Sequence, residues 1–404
     1  MDRPVIVHIS GDFPDCIAPN KTRAIANLVE ATSEFDHIVY SLNRVPAWSR
    51  IESIQFSNNK IALAYGAPSK GFFLRSRMEA LADWIVADLV ARRRRIDVVH
   101  AHKLTIEGIA GRRVADAMKI PLVCSVQADT DAKIVWARPD LRAHFRHIWK
   151  TADYAVPFSP RGRDEMNSRL GQRTGRTSLL PCITHQDNLL PAKPVENSHF
   201  ISIFHFGAHV RKNAKGLIGA IQLASREHPD IKLDIFGSGR PAELRAMDKL
   251  IGDADLRDRI QLRGPLRHEL VQRQIQEYVA FVMPSRRETY GMVFAESLLA
   301  GVPILQSKGW GIHGLFPDAD VGYSCDTNSI EDIKQGILYL HENEAKLKKR
   351  IARRQTAGGF DMLRRASVAA QYRNIIATVT SNSAVSSTHP VLAETAIPAQ
   401  SPHV

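Results

Sequence analysis

Residues 281–305, FVMPSRRETYGMVFAESLLAGVPIL, constrain the fold of this chain more than any other stretch. Phe281, Val282 and Met283 close a short apolar run that reads as a buried strand, and Pro284 and Ser285 end it. A polar loop with Arg286, Arg287, Glu288 and Tyr290 follows, and Gly291 gives the backbone the freedom to turn into a helix. Residues 292–300 read as that helix, Gly301 stands where a helix C-terminal glycine belongs, and Pro303 opens another strand. Strand, loop, helix and strand in this order make a parallel unit. Its polar loop lies at the C-terminal end of a strand, where open parallel sheets bind ligands.

A helix N-terminus there offers unpaired N–H groups to an anion such as a phosphate. Glu288 and Glu296 are eight positions apart, one in the loop and one in the helix. An ionised carboxylate only accepts hydrogen bonds, which suits hydroxyl-rich ligands such as ribose or a sugar ring. Taken alone, such a pair is more often solvated surface charge. The surrounding pattern argues otherwise.

That pattern is a strand and helix alternation met twice. Residues 4–10 form an apolar strand, 11–20 a polar loop, 20–34 a helix and 37–42 a second strand, the opening of a doubly wound sheet. Further strands are expected at 97–100, 121–126 and 153–158, with His102 and the 127–131 segment at C-terminal strand ends. Residues 187–198, DNLLPAKPVENS, read as a linker. The alternation restarts with a strand at 200–206, the basic loop GAHVRKNAKG at 207–216, and a strand at 232–236 that delivers Gly237, Ser238 and Gly239 into a turn. Residues 330–354 read as charged helix and 360–377 as a last amphipathic helix that packs back on the first domain. Residues 378–404, rich in Ser, Thr, Ala and Pro, are expected to be disordered. The fold class is α/β: two Rossmann-like doubly wound domains, 1–186 and 199–359, facing a cleft.

A net charge of +12 and a pI near 9.6 favour an anionic partner, without choosing among phosphorylated small molecules, membranes and nucleic acids. Nucleic-acid signatures are absent from the sequence. Cys16, Cys124, Cys182 and Cys325 are scattered without a CxxC pair, which favours reduced thiols over a disulfide framework or a zinc site and predicts a cytoplasmic setting. No run of apolar residues is long enough to span a bilayer. Arg92, Arg93, Arg94 and Arg95 end a long helix and read first as a solvated helix terminus. A sharper reading joins them to Lys70, Phe72, Phe73, Arg75 and Arg77 as a peripheral membrane patch for anionic headgroups.

Two sheet-and-helix halves with PSRRETYGMVFAESLLAGVPIL in the second resemble glycosyltransferase family 4 of the GT-B fold. Supporting matches are DVVHAH at 97–102, Lys215-Gly216 before a helix, Gly237-Ser238-Gly239, and Gly264. The resemblance implies a retaining, metal-independent transferase that moves a sugar from a nucleotide-activated donor to a saccharide or polyprenyl-linked acceptor, in cell-surface polysaccharide or glycoconjugate synthesis. It implies a catalytic set of Glu288, Lys215, Arg211 and His102. The donor set is Glu296 on the ribose, with Gly207, Lys212, Gly237, Tyr290, Gly291 and Met292, and the acceptor side is Gln127, Asp129 and Asn20. No cofactor is implied beyond the nucleotide sugar as substrate.

Three positions depart from the family pattern. Ala208 replaces an arginine after Gly207, Pro19-Asn20 replaces a glycine pair, and Gln127 replaces a histidine and cannot act as a general base. These departures keep open a second reading, a catalytically silent GT-B protein that binds a sugar nucleotide or serves as an assembly partner. A GT-B epimerase is a third.

Overall fold

The computed structural model describes residues 3–45, 50–68 and 71–386. The first half runs β1 (Val5–Ser10), α1 (Ala24–Ala31), β2 (Asp36–Val45), β3 (Glu52–Ser57), β4 (Lys60–Gly66), α2 (Leu74–Ala91), β5 (Val98–Ala101), α3 (Glu107–Met118), β6 (Leu122–Val126), α4 (Ala128–Ala137), α5 (Arg142–Thr151), β7 (Tyr154–Pro157) and α6 (Pro160–Leu170). The second runs β8 (His199–Ile203), α7 (Ala214–Glu227), β9 (Lys232–Phe236), α8 (Pro241–Asp253), β10 (Ile260–Gly264), α9 (Val271–Ile275), β11 (Phe281–Val282), α10 (Met292–Leu299), β12 (Ile304–Ser307), α11 (Asp318–Val321), β13 (Gly322–Cys325), α12 (Ile330–Glu342), α13 (Glu344–Thr356) and α14 (Arg365–Ser386).

Seven strands pair in the order β3-β4-β2-β1-β5-β6-β7 and six in the order β10-β9-β8-β11-β12-β13. Every pairing is parallel except β3 against β4. Central strands such as β1 and β12 are buried along their whole length, as expected for strands covered by helices on both faces. In each sheet the order reverses beside the first strand, at β1/β5 and β8/β11, so each sheet opens a crevice at its strand C-termini. The two crevices face one another. One apolar cluster runs across the junction, joining Phe13, Ile25, Phe158 and Cys182 of the first half to Phe204, Tyr290 and Phe294 of the second. Arg161 stacks 3.7 Å from the Trp310 ring and Arg287 lies 3.8 Å from Asp129, adding charged ties between the halves.

The last helix crosses back to the first sheet. Val368, Tyr372, Ile375, Ile376 and Val379 bury against Ile6, Val98, Val123 and Val156, which removes their apolar surface from water. It continues to Ser386 instead of ending at 377, and residues 387–404 lie outside the described residues.

Other local expectations need correction. The first helix starts at Ala24 instead of 20, because Asp15 captures the N–H groups of Ile17 and Ala18 and the Lys21 ammonium in a tight loop. Residues 330–354 are two helices broken at Asn343. Residues 266–277, whose sequence reads as one helix, hold a 3-10 turn at His268–Leu270 and the five-residue α9. The arginine run and the Phe72-Phe73 pair do not form one patch: they sit at opposite ends of α2, whose 18 residues span about 27 Å. Arg92, Arg94 and Arg95 are paired with Asp88, Asp36 and Asp97, and Lys70 lies outside the described residues.

Candidate functional site

The loop between β11 and α10 is pinned from three sides. Ser307 Oγ donates to the Ser285 carbonyl at 2.6 Å, the Arg286 N–H donates to the Arg211 carbonyl at 2.9 Å, and the Gly311 N–H donates to the Glu288 carbonyl at 3.2 Å. Glu288 is thereby held 7% exposed, with Lys212 Nζ hydrogen-bonded to Oε2 and Arg211 Nη1 at 3.9 Å from Oε1. Gly291 then turns the chain onto α10 with φ of 76°, the left-handed region. A Cβ at this position would stand 2.6 Å from the Phe294 ring and 3.1 Å from Glu288 Cγ, so glycine is required here on two counts.

Asn213 is also left-handed, with φ of 56°, and is fixed by a 2.9 Å bond from its Nδ2 to the Thr327 carbonyl. This turn decides which lysine reaches the carboxylate. Lys212 precedes it and faces Glu288. Lys215 follows it, is exposed on the first turn of α7, and lines a separate 450 Å³ hollow with Arg286 and Lys249. Lys215 therefore lines a different hollow from the one at Glu288.

Glu288, Arg211, Lys212, Tyr290, Gly291 and Met292 surround one 440 Å³ hollow, whose far wall carries Asp12, Thr22, Gln127 and Cys182 from the first half. A second, 290 Å³ compartment holds Glu296 with Asn20, Thr22, His185, His268 and Met292. Thr22, Ile203, Met292 and Val293 line both, which makes them one continuous groove between the halves. Two larger surface hollows on the first half, around Arg94 and around Arg112, bring together no comparable set.

Glu296 is 5% exposed, and burial pushes its carboxyl up to about 8 despite hydrogen bonds from the backbone N–H groups of His185 and Gln186. Burial thus favours the protonated form of this carboxyl, which can donate as well as accept. Tyr290 is buried with no partner for its hydroxyl.

On the first-half wall, Asp12 Oδ2 accepts from Lys103 Nζ and from Gln127 Nε2, both at 2.7 Å. Burial opposes ionisation, but the Lys103 ammonium outweighs it and holds Asp12 below its ordinary range. Lys103 is itself buried and bridges to Glu107 at 3.1 Å. Asp12, Lys103 and Glu107 were not singled out by the sequence reading. The signal was present, since Asp12 follows β1 at its C-terminal end just as His102 follows β5.

Besides Lys215, four expected site residues lie outside the groove, and a fifth, Asn20, lies in its other compartment. His102 is fully buried under the sheet, where the rings of His37, His8 and His102 form a hydrogen-bonded chain. His37 Nε2 must donate to the Thr32 carbonyl, so His8 donates to His37, His102 donates to His8, and His102 Nδ1 is left as an acceptor without a partner among the described residues. His8, His100 and His102 have metal-like spacing, with ligand atoms within 4.8 Å, yet the other ring nitrogens are occupied by one another, His37, Tyr372 and Ser125. Asp129 pairs with Lys133 and Arg287 and does not line the groove. Asn20 lies with Glu296 and not on the wall with Gln127. Gly207 and Gly237 line neither compartment. Gly237 is a packing glycine, since a Cβ there would meet the Phe204 carbonyl oxygen at 2.0 Å.

Residues 190–357 match the glycosyl transferases group 1 family. Among solved structures, sucrose-phosphate synthase from Thermosynechococcus elongatus superposes with a TM-score of 0.72 at 19% identity, covering 94% of this chain and 100% of that one. Anabaena HepE, solved with UDP and glucose, superposes at 0.66 with 12% identity, over 93% and 100% of the two chains. The fold is GT-B. Curated relatives include D-inositol 3-phosphate glycosyltransferase of Paenarthrobacter aurescens, 23% identical over 62% of this chain and 65% of its own length. Alpha-D-kanosaminyltransferase of Streptomyces kanamyceticus is 27% identical over 48% of this chain and 50% of its own length. The chain thus spans about half to two thirds of the length of these relatives (50% and 65%). It is a GT-B protein related to glycosyltransferases, and the matched segment contains the Glu288 and Glu296 loop and helix.

Proposed function

We propose that this protein is a retaining glycosyltransferase that moves a sugar from a nucleoside-diphosphate donor to a saccharide or lipid-linked acceptor, in surface polysaccharide or glycoconjugate synthesis. The observation that carries the reading is the convergence of Glu288, Arg211 and Lys212 with the start of α10 on one groove that also holds Glu296. In transfer, the bond from the sugar C1 to the diphosphate oxygen breaks and the diphosphate takes the electron pair. The acceptor oxygen bonds C1 on the same face and passes its proton to the departing diphosphate oxygen. Charge therefore grows on the diphosphate, where Arg211, Lys212 and the N–H groups at the start of α10 stabilise it. Arg211 supplies the cation that Ala208 cannot, and with two fixed cations the step needs no metal ion. Glu288 sets Lys212 in place and contacts the transferred sugar. Glu296 holds the ribose hydroxyls, and Asp12 with Gln127 receives the acceptor.

Incubation with a panel of nucleotide sugars tests this. Release of nucleoside diphosphate, lost in Glu288→Gln and insensitive to chelator, is the expected result; no release with any donor overturns it. Product NMR reads the anomer.

Peripheral membrane contact belongs to the same reading, on a patch of Phe72, Phe73 and Trp136. Phe72 and Phe73 are about 60% exposed (62% and 60%), Trp136 is 72% exposed, and Arg138 donates to the Gly71 carbonyl to bring the two segments together. No described helix is long and apolar enough to cross a membrane. Flotation with anionic liposomes, reduced by Phe72→Ser with Phe73→Ser, is expected. Absence of flotation at low salt ends the membrane reading.

A further inference from the structure

At the end of the second sheet remote from the groove, the chain leaves α7 through a tight turn, closed by the Ile231 N–H donating to the His228 carbonyl at 3.1 Å. His228 and Asp230 stand on this turn, just before β9 begins at Lys232. α12 packs alongside α7 in the same direction, tied by Lys334 to Glu227 at 2.9 Å, and brings His341 to the same place from its last turn. The His228 and His341 rings are 4.8 Å apart at 60°, and one ligand atom from each of His228, Asp230 and His341 lies within 4.8 Å of the others. Glu342 Oε1 is 3.9 Å from His228 Nε2.

We propose that His228, Asp230 and His341 bind a divalent transition-metal ion of the zinc, cobalt or nickel class, with Glu342 in reach as a fourth ligand. Two imidazoles and one or two carboxylates are the donor set such ions take, and the charges around the site suit them. α7 ends at Glu227 and α12 at Glu342, so two helix C-termini direct their partial negative charge at the cluster. Asp230 is already oriented by a hydrogen bond from Ser198 Oγ. These imidazoles are half-buried and open to solvent, unlike the enclosed His8, His100 and His102. The ion clips the end of α7 to the end of α12. Because the cluster is at the N-terminal end of the strands, the clip acts on stability and leaves the groove untouched.

Cobalt(II) titrated into tag-free, metal-stripped protein tests the site, read by its visible absorption and by the unfolding temperature. One ion per chain is expected at about pH 7.5, with a rise in unfolding temperature. His341→Gln and His228→Gln should each weaken binding about tenfold or more while nucleoside-diphosphate binding stays unchanged. No binding by the full-length protein at about pH 7.5 overturns the proposal. So does binding that both variants leave unaltered, which would place the ion elsewhere.

Discussion

Replacing Glu296 by glutamine removes one ionisable proton from a buried part of the groove. A carboxyl raised from its ordinary 4.5 to about 8 by burial costs the folded state roughly 5 kcal/mol once it is ionised. The sign follows from proton binding. Between those two values the folded protein holds the proton and the unfolded chain has lost it, so stability falls as pH rises. The contribution is intact below the unfolded value and gone above about 8. A glutamine side chain in its place carries no such dependence, so the Glu296→Gln variant should gain on the parent by roughly 3 to 4 kcal/mol between pH 5 and pH 8. For a domain of this size that is a relative shift in unfolding temperature of about 10 °C. Thermal unfolding of both proteins by circular dichroism across that range reads it. A difference that stays constant with pH would refute the reasoning, because the carboxyl would then be ionised in the fold and its compartment open to water.

Two further outcomes test neighbouring parts of the site. Gly291→Ala forces a Cβ into the left-handed region and against Phe294; the backbone term alone is about 1–2 kcal/mol, so calorimetry should show lower stability and weaker nucleotide binding together. Asp12→Asn removes a carboxylate anchored by Lys103 and Gln127, and should raise the acceptor KM about tenfold while donor binding is unchanged, as steady-state kinetics would show. Equal effects on donor and acceptor would detach Asp12 from the acceptor wall.

Both doubly wound sheets were legible because buried parallel strands write long apolar runs, as in VIVHIS at β1, and because Gly291, Gly301 and Pro303 punctuate one strand, loop and helix unit. The hairpin partner β3 was not, since ESIQFS is largely exposed and offers only Ile54 and Phe56 on one face. Within the site, residues carried by the loop and α10 were readable from spacing. The choice between Lys212 and Lys215 was not, because it depends on the left-handed turn at Asn213, which a string of basic residues does not reveal. His102 illustrates the opposite error. Its strand-end position was read correctly, but burial is decided by what covers the sheet, and here α14 returns from more than 260 residues away to lay Tyr372 against His100 (sequence separation 272). Asp12 was passed over because a lone acid in a polar loop is ordinarily solvated, whereas the buried Lys103 ammonium and Gln127 fix it in the groove.

Calorimetric titration of nucleoside diphosphates, UDP, GDP and ADP in turn, into the parent, Lys212→Ala and Lys215→Ala tests the central claim most directly. One of the diphosphates should bind the parent. Lys212→Ala should lose about tenfold to a hundredfold in affinity, the worth of a hydrogen bond to a charged group, and Lys215→Ala should bind like the parent. Binding of none, or an equal loss in both variants, would contradict a donor site built on Glu288, Arg211 and Lys212.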